Sequence, residues 1–147
     1  MQCVGCNEHE LIEVSAEHRL RVAGFAFIAQ MPMRRCPRCG LKHLEDAELE
    51  KFEHGVARAL ALSAHINHEA LQFMREAIGA SRVQLAHELN TTDDGIAGWE
   101  SGQPIPEPML HGITRLVLHK TDRPSVPQVK MRPLAKTRDS ADRWKCA

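Results

Sequence analysis

The chain has 147 residues, 43% of them hydrophobic and 26% charged, which is enough for one ordinary domain or two small ones. No apolar run approaches the length of a membrane span, so no transmembrane helix is expected. The formal net charge of zero hides a split: residues 1–62 carry 8 basic and 9 acidic side chains, residues 63–119 carry 3 and 7, and residues 120–147 carry 8 and 3.

The first element is a pair of knuckles. Cys3-Val4-Gly5-Cys6 and Cys36-Pro37-Arg38-Cys39 repeat the Cys-x-x-Cys spacing on either side of residues 7–35. Two residues between cysteines let a tight turn aim both sulfurs at one ion. Two such turns supply the four thiolates that Zn²⁺ takes in a closed tetrahedral site. A redox role wants a single motif in a βαβ setting, which this stretch lacks. No basic-then-apolar leader precedes Cys3, so the expected compartment is the cytoplasm and the expected state of the sulfurs is thiol, not disulfide. One structural Zn²⁺ per chain is the expectation, with Cys3, Cys6, Cys36 and Cys39 as ligands. His9 and His43 lie near the knuckles, but a chain with nine histidines brings some there by chance. Cys146 reads as a free thiol.

Between the knuckles, Leu11–Val14 and Leu20–Ala29 are rich in apolar and β-branched residues. Leu20 and Val22 lie on one phase and Phe25, Phe27 and Ala29 on the other, with Ala23-Gly24 as the turn or bulge where the phase changes. A small antiparallel sheet follows, too small to hold without the metal, which then acts as the core of the module. Leu41–Leu44 reads as a last strand.

Asp46 is a reasonable N-cap for an amphipathic helix to about Leu62, with Leu49, Phe52, Val56 and Leu60 on one face. From His65 the pattern becomes a string of short helices. Leu71, Met74 and Ile78 mark one that Gly79-Ala80 breaks, and Ser81-x-x-Gln84 is a capping box opening the next, with Leu85 and Leu89 inward. Thr92 caps a third with Ile96 and Trp99 inward and Gly102 just past its end. Pro104 and Pro106 force an extended link, and Pro108 suits the first turn of a fourth helix carrying Leu110, Ile113 and Val117. Two short helices joined around Asn90-Thr91 make a helix-turn-helix signature.

Ser81-Arg82-Val83-Gln84-Leu85-Ala86, followed by Ile96-Ala97-Gly98-Trp99-Glu100-Ser101-Gly102 and Pro104-Ile105-Pro106, resembles the Xre/Cro type of helix-turn-helix domain. Met31-Pro32-Met33-Arg34-Arg35-Cys36-Pro37-Arg38-Cys39-Gly40 resembles the YgiT-type zinc ribbon. Both together, in this order, are similar to the MqsA family of antitoxins over residues 1–119. The resemblance implies an α+β chain, with a zinc ribbon of short antiparallel sheet and connecting helix over 1–62 and an all-α helix-turn-helix domain over 63–119; it leaves the basic tail, 120–147, uncovered. It further implies a homodimer that grips an operator and represses its own operon, with outward zinc domains that bind a partner toxin.

In that family an asparagine and an arginine on the recognition helix read bases. The matching positions here are Asp94 and Gly98, one bringing negative charge toward phosphates and the other having no side chain. Asp93 and Asp94 also complement the dipole of a helix's first turn. The remaining candidates for double-stranded DNA contact are Arg82, Gln84, Thr91 and Thr92, with Arg75 and Arg115 behind them. Residues 120–147, with Pro124, Pro127 and Pro133, show no sustained pattern and are expected to be disordered or extended alone. Lys130, Arg132, Lys136 and Arg138 either solubilise the tail or lie along a phosphate backbone.

Two functions follow. One is a DNA-binding transcriptional regulator and antitoxin. The other is a dimeric scaffold that has lost base reading and whose zinc ribbon docks a protein partner. No nucleophile–base pair, phosphate loop or open metal position is present to suggest an enzyme or a small-molecule substrate.

Overall fold

Eleven residues alternating in burial, a two-residue reversal, and eleven more make residues 12–35 a long hairpin. In this computed structural model, which describes residues 3–6 and 10–134, β1 runs Ile12–Val22 and β2 Phe25–Arg35. Ala23 and Gly24 both take positive φ, 58° and 85°, the backbone that a tight two-residue hairpin turn requires. The register pairs Leu20 with Phe27, His18 with Ala29, Ala16 with Met31 and Val14 with Met33, so the phase change across the turn puts the apolar sets of both strands on one face. Glu13, Glu17, Arg19 and Arg21 stay exposed. The strands are continuous through Ser15–Arg19, where the sequence shows only charge and a histidine, because alternation with period two matters more there than β-propensity. Lys42–His43, β3, pairs with Arg34–Arg35.

This sheet has an apolar core, a correction to the expectation that the metal alone would serve as one. Phe27, Ala29, Met31 and Met33 are buried in one continuous cluster with Phe52, Val56, Leu60, Leu71, Met74, Ile96, Ile113 and Val117. The bridge is α1, Asp46–Ser63. Its N-cap is Glu45 and not Asp46, and Glu45 makes no cap hydrogen bond because its carboxylate accepts from Arg34 Nε at 2.6 Å. Asp46 and Glu48 instead sit in the positive first turn. Burial of Phe52, His54, Gly55, Val56, Ala57, Leu60 and Ala61 covers more than a single stripe, so α1 is packed on from several sides.

The helices follow their local signals closely. Asn67 Oδ1 accepts from Ala70 N at 2.8 Å to open α2, His68–Ala77, and Gly79 (φ 75°) ends it. The Ser81–Gln84 capping box is made in both directions at the start of α3, Arg82–Leu89, whose C-cap Asn90 is left-handed. Thr92 Oγ1 accepts from Gly95 N at 3.1 Å to cap α4, Asp93–Glu100. The last helix, α5, is Glu107–Lys120, with Pro108 in its first turn.

Beyond α5 the structure departs from the expected disorder. Thr121 is buried and donates to Val117 O at 2.8 Å, and Arg58 Nη1 donates to Leu118 O at 3.2 Å, closing the end of α5 onto α1. Residues 127–129 then cross α1 at Gly55: a Cβ on that glycine would lie 2.6 Å from Val129 Cγ2 and 2.8 Å from Pro127 O. Lys130–Pro133, β4, pairs antiparallel with Phe25–Ile28 of β2, Met131 opposite Phe27. The prolines suppress helix but suit an edge strand, and the apolar residues Val129 and Met131 find a core that the tail alone does not supply. Lys136, Arg138 and Cys146 lie outside the described residues.

Candidate metal centre and helix-turn-helix face

The two knuckles meet at the open end of the hairpin. Residue 36 follows β2 directly. Its amide donates to Leu41 O at 2.9 Å while Gly40 N donates back to Cys36 O at 3.0 Å, and Gly40 takes φ 79° at the exit. That turn aims Cys36 and Cys39 toward Cys3 and Cys6. The four sulfurs all lie within 4.8 Å of one another, with Cys3–Cys39 at 3.5 Å and Cys6–Cys36 at 3.6 Å. Sulfurs held tetrahedrally about 2.3 Å from one ion stand about 3.8 Å apart, whereas a disulfide needs about 2.05 Å. The spacing therefore suits four ligands around one metal ion and not two disulfides.

The surroundings favour thiolate. Gly5 N donates to Cys3 Sγ at 3.3 Å and Cys39 N to Cys36 Sγ at 3.4 Å, the amide donors that knuckle turns present to bound sulfur. Without metal, the Cys39 amide draws the Cys36 thiol down to about 6, and the Cys6 amide lowers Cys3. Cys39 goes the other way. The Leu41 amide acts to lower it, but hydrogen bonding to Cys3 and Cys36, together with burial, pushes it up to about 11, as expected for the thiol that keeps its proton among sulfurs sharing charge. Cys3 and Cys36 are wholly buried, Cys6 is half-buried and Cys39 is exposed. Among the described residues no histidine or carboxylate joins this group, and His43 is taken up in β3.

The helix-turn-helix candidates are distributed unevenly. Leu85, Ala86, Ile96 and Trp99 face the core, leaving Arg82, Val83, Gln84, Thr92, Asp93 and Asp94 exposed, with Thr91 half-buried in the turn. Gln84 Oε1 accepts from Ser81 N at 2.8 Å, and the Thr92 hydroxyl caps α4, so both have structural employment. Arg82 is not a free cation. Its Nε donates to Glu100 Oε1 at 3.0 Å, and Arg75 approaches the same carboxylate with Nε–Oε2 at 2.6 Å and Nη2–Oε1 at 3.3 Å. Arg75 also donates Nη1 to Ala80 O at 3.0 Å, tying the end of α2 to the turn before α3. Glu100 reads in sequence as one more surface acid. Nothing local announces that its side chain is only 2% exposed and balanced by two arginines from other helices. Arg115 is exposed on α5.

No family model matches this chain, and no curated protein matches it.

Proposed function

We propose that the chain is a zinc-containing, DNA-binding transcriptional regulator of the MqsA antitoxin type, which represses its own operon as a cytoplasmic homodimer and engages a partner protein, a toxin, through its zinc end. The observation that carries this reading is the α3–turn–α4 unit. Two eight-residue helices, each capped by its own Ser81 or Thr92 side chain and hinged at left-handed Asn90, pack through Leu85, Ile96 and Trp99 and leave the first turn of α4 open to solvent. Four thiolates fill a tetrahedral shell and leave no place for water, so the metal fits a structural role and the chain is read as no enzyme. Four soft sulfur ligands in a tetrahedral arrangement suit zinc, with iron as the other metal such a set can hold. Ile113 and Val117 are used inside the core, but Leu110 and Leu118 line an open apolar groove with Ala61, Ala64 and Ile66, which supports a two-fold contact there.

A second reading has one observation in its favour. Of the three arginines in residues 63–119, Arg75 and Arg82 both pair with Glu100, while Asp93 and Asp94 face outward. Such a surface suits a dimeric scaffold that docks a protein and reads no DNA. Fluorescence anisotropy of the full chain against its own promoter and a scrambled duplex, across a salt series, separates the two. Preference for the promoter, with log affinity falling by about 0.9 per neutralised phosphate in log salt, is the regulator's outcome. No binding to any duplex at low salt replaces it with the scaffold.

A further inference from the structure

The end of α4 is built in an unusual way. Gln103 N donates to Gly98 O at 3.0 Å and Gly102 N to Trp99 O at 3.2 Å, with Gly102 at φ 114°, the paired bonds of a Schellman termination. That motif folds the residue after the left-handed glycine back over the last turn, where it commonly makes an apolar contact. Here the two positions are Gly98 and Gln103. A Cβ on Gly98 would stand 2.5 Å from Gln103 Oε1 and 3.1 Å from its Cδ, so the amide lies directly on bare helix backbone. Gly98 is helical and needs no positive φ, and a glycine inside a helix weakens it relative to alanine. What its absent side chain provides is room for the glutamine. Gln103 is exposed, and its amide makes no hydrogen bond among the described residues.

We propose that Gln103 is the base-reading side chain of this domain, contacting adenine of an A·T pair in the major groove from the place on α4 that Gly98 leaves open. The assignment rests on the regulator reading above. Asp94 and Gly98 are four residues apart and share a helix face, so the amide is presented on the same side as the exposed first turn. A primary amide offers one donor and one acceptor side by side, which match adenine N7 and N6; the other bases lack that adjacent pair in the same order. It is also neutral. Beside Asp94, a group that reads base edges avoids depending on phosphate attraction that the carboxylate opposes. Seating on the helix restricts the side chain before binding, which lowers the entropy lost on contact.

The test uses the full chain and a pool of randomised duplexes, from which its preferred site is selected. The expected site has an adenine whose replacement weakens binding about 5- to 150-fold, and Gln103→Ala removes that discrimination while leaving the thermal midpoint unchanged. Replacing the adenine with 7-deazaadenine should weaken the unaltered chain and leave Gln103→Ala indifferent. Gly98→Ala, which displaces the amide without removing it, should lose the same discrimination. If the chain selects a site and Gln103→Ala keeps every base preference, the assignment is overturned and the regulator reading stands. If the unaltered chain selects nothing, both fall.

Discussion

The two ends of the β1–β2 hairpin are held by different physics. At the open end, Ile12 and Arg35 lead into knuckles whose buried groups are sulfur, and whose nearest apolar neighbours, Val4 and Leu41, are exposed. At the closed end, Phe25 and Phe27 are flanked by β4 and joined to a core reaching into all the helices but α3's outer face. On the proposed reading the open end depends on a bound metal ion, whereas the closed end rests on burial. Each should therefore fail under a treatment that spares the other.

The largest expected effect is on the open end. Metal binding by such thiolate sites is worth roughly 10–16 kcal/mol at neutral pH, all of it folding energy for the knuckles. Elemental analysis should find one zinc per chain, and Cys36→Ser or chelation should abolish amide protection at position 36 and at Gly40, both hydrogen-bonded in the turn. Protection around Phe27 and the helices should survive. Loss of helical signal on chelation would show that the two ends are not separable.

Next comes the closed end. Phe27→Ala or Phe52→Ala removes a wholly buried ring and should cost about 3–5 kcal/mol in chemical denaturation, with zinc still retained by the native fraction. A cost below about 1 kcal/mol would mean the sheet draws little from α1.

Glu100 ranks third. Removing its carboxylate leaves Arg75, whose side chain is 11% exposed, with only the exposed Glu76 carboxylate at 3.8 Å, a loss of about 3 kcal/mol by the usual measure of broken buried pairs. Arg82→Ala should cost under about 1 kcal/mol, since that side chain is half-exposed and one partner remains. Equal losses for the two would contradict the assignment of Arg75 as the structural member.

The fourth effect, smaller than the loss of Glu100, concerns the strap over α1. Gly55→Ala gains helix propensity but drives a methyl against Val129 and the Pro127 carbonyl, for a net loss of about 1–3 kcal/mol confined to residues 121–134. Hydrogen exchange at Leu134, which donates to Gly24 O at 3.0 Å, should report it first. Truncation after His119 removes β4 altogether, so it tests the fold as well as any phosphate contact; truncation after Leu134 isolates the remaining basic residues.

Much of this molecule is local chemistry, and the amino-acid order alone determined it. Cys-x-x-Cys spacing, the Ser81–Gln84 box, the Thr92 cap and the Gly79 and Gly102 stops act over three to five residues, so knuckles and short helices were legible to within a residue or two. Leu85, Ile96 and Trp99 were assigned inward from helical periodicity, and all three are buried. Three features were decided only by the tertiary structure, because their causes are far apart in the chain. Val129 and Met131 become a strap and strand only where Gly55 and the free edge at Phe25–Ile28 receive them. Glu100 is buried only because Arg75 and Arg82, on two other helices, converge on it. The sheet has an apolar core only because α1 brings Phe52 and Val56 across it. Periodicity tells which face of an element is apolar, but what will cover that face depends on where the rest of the chain comes to lie.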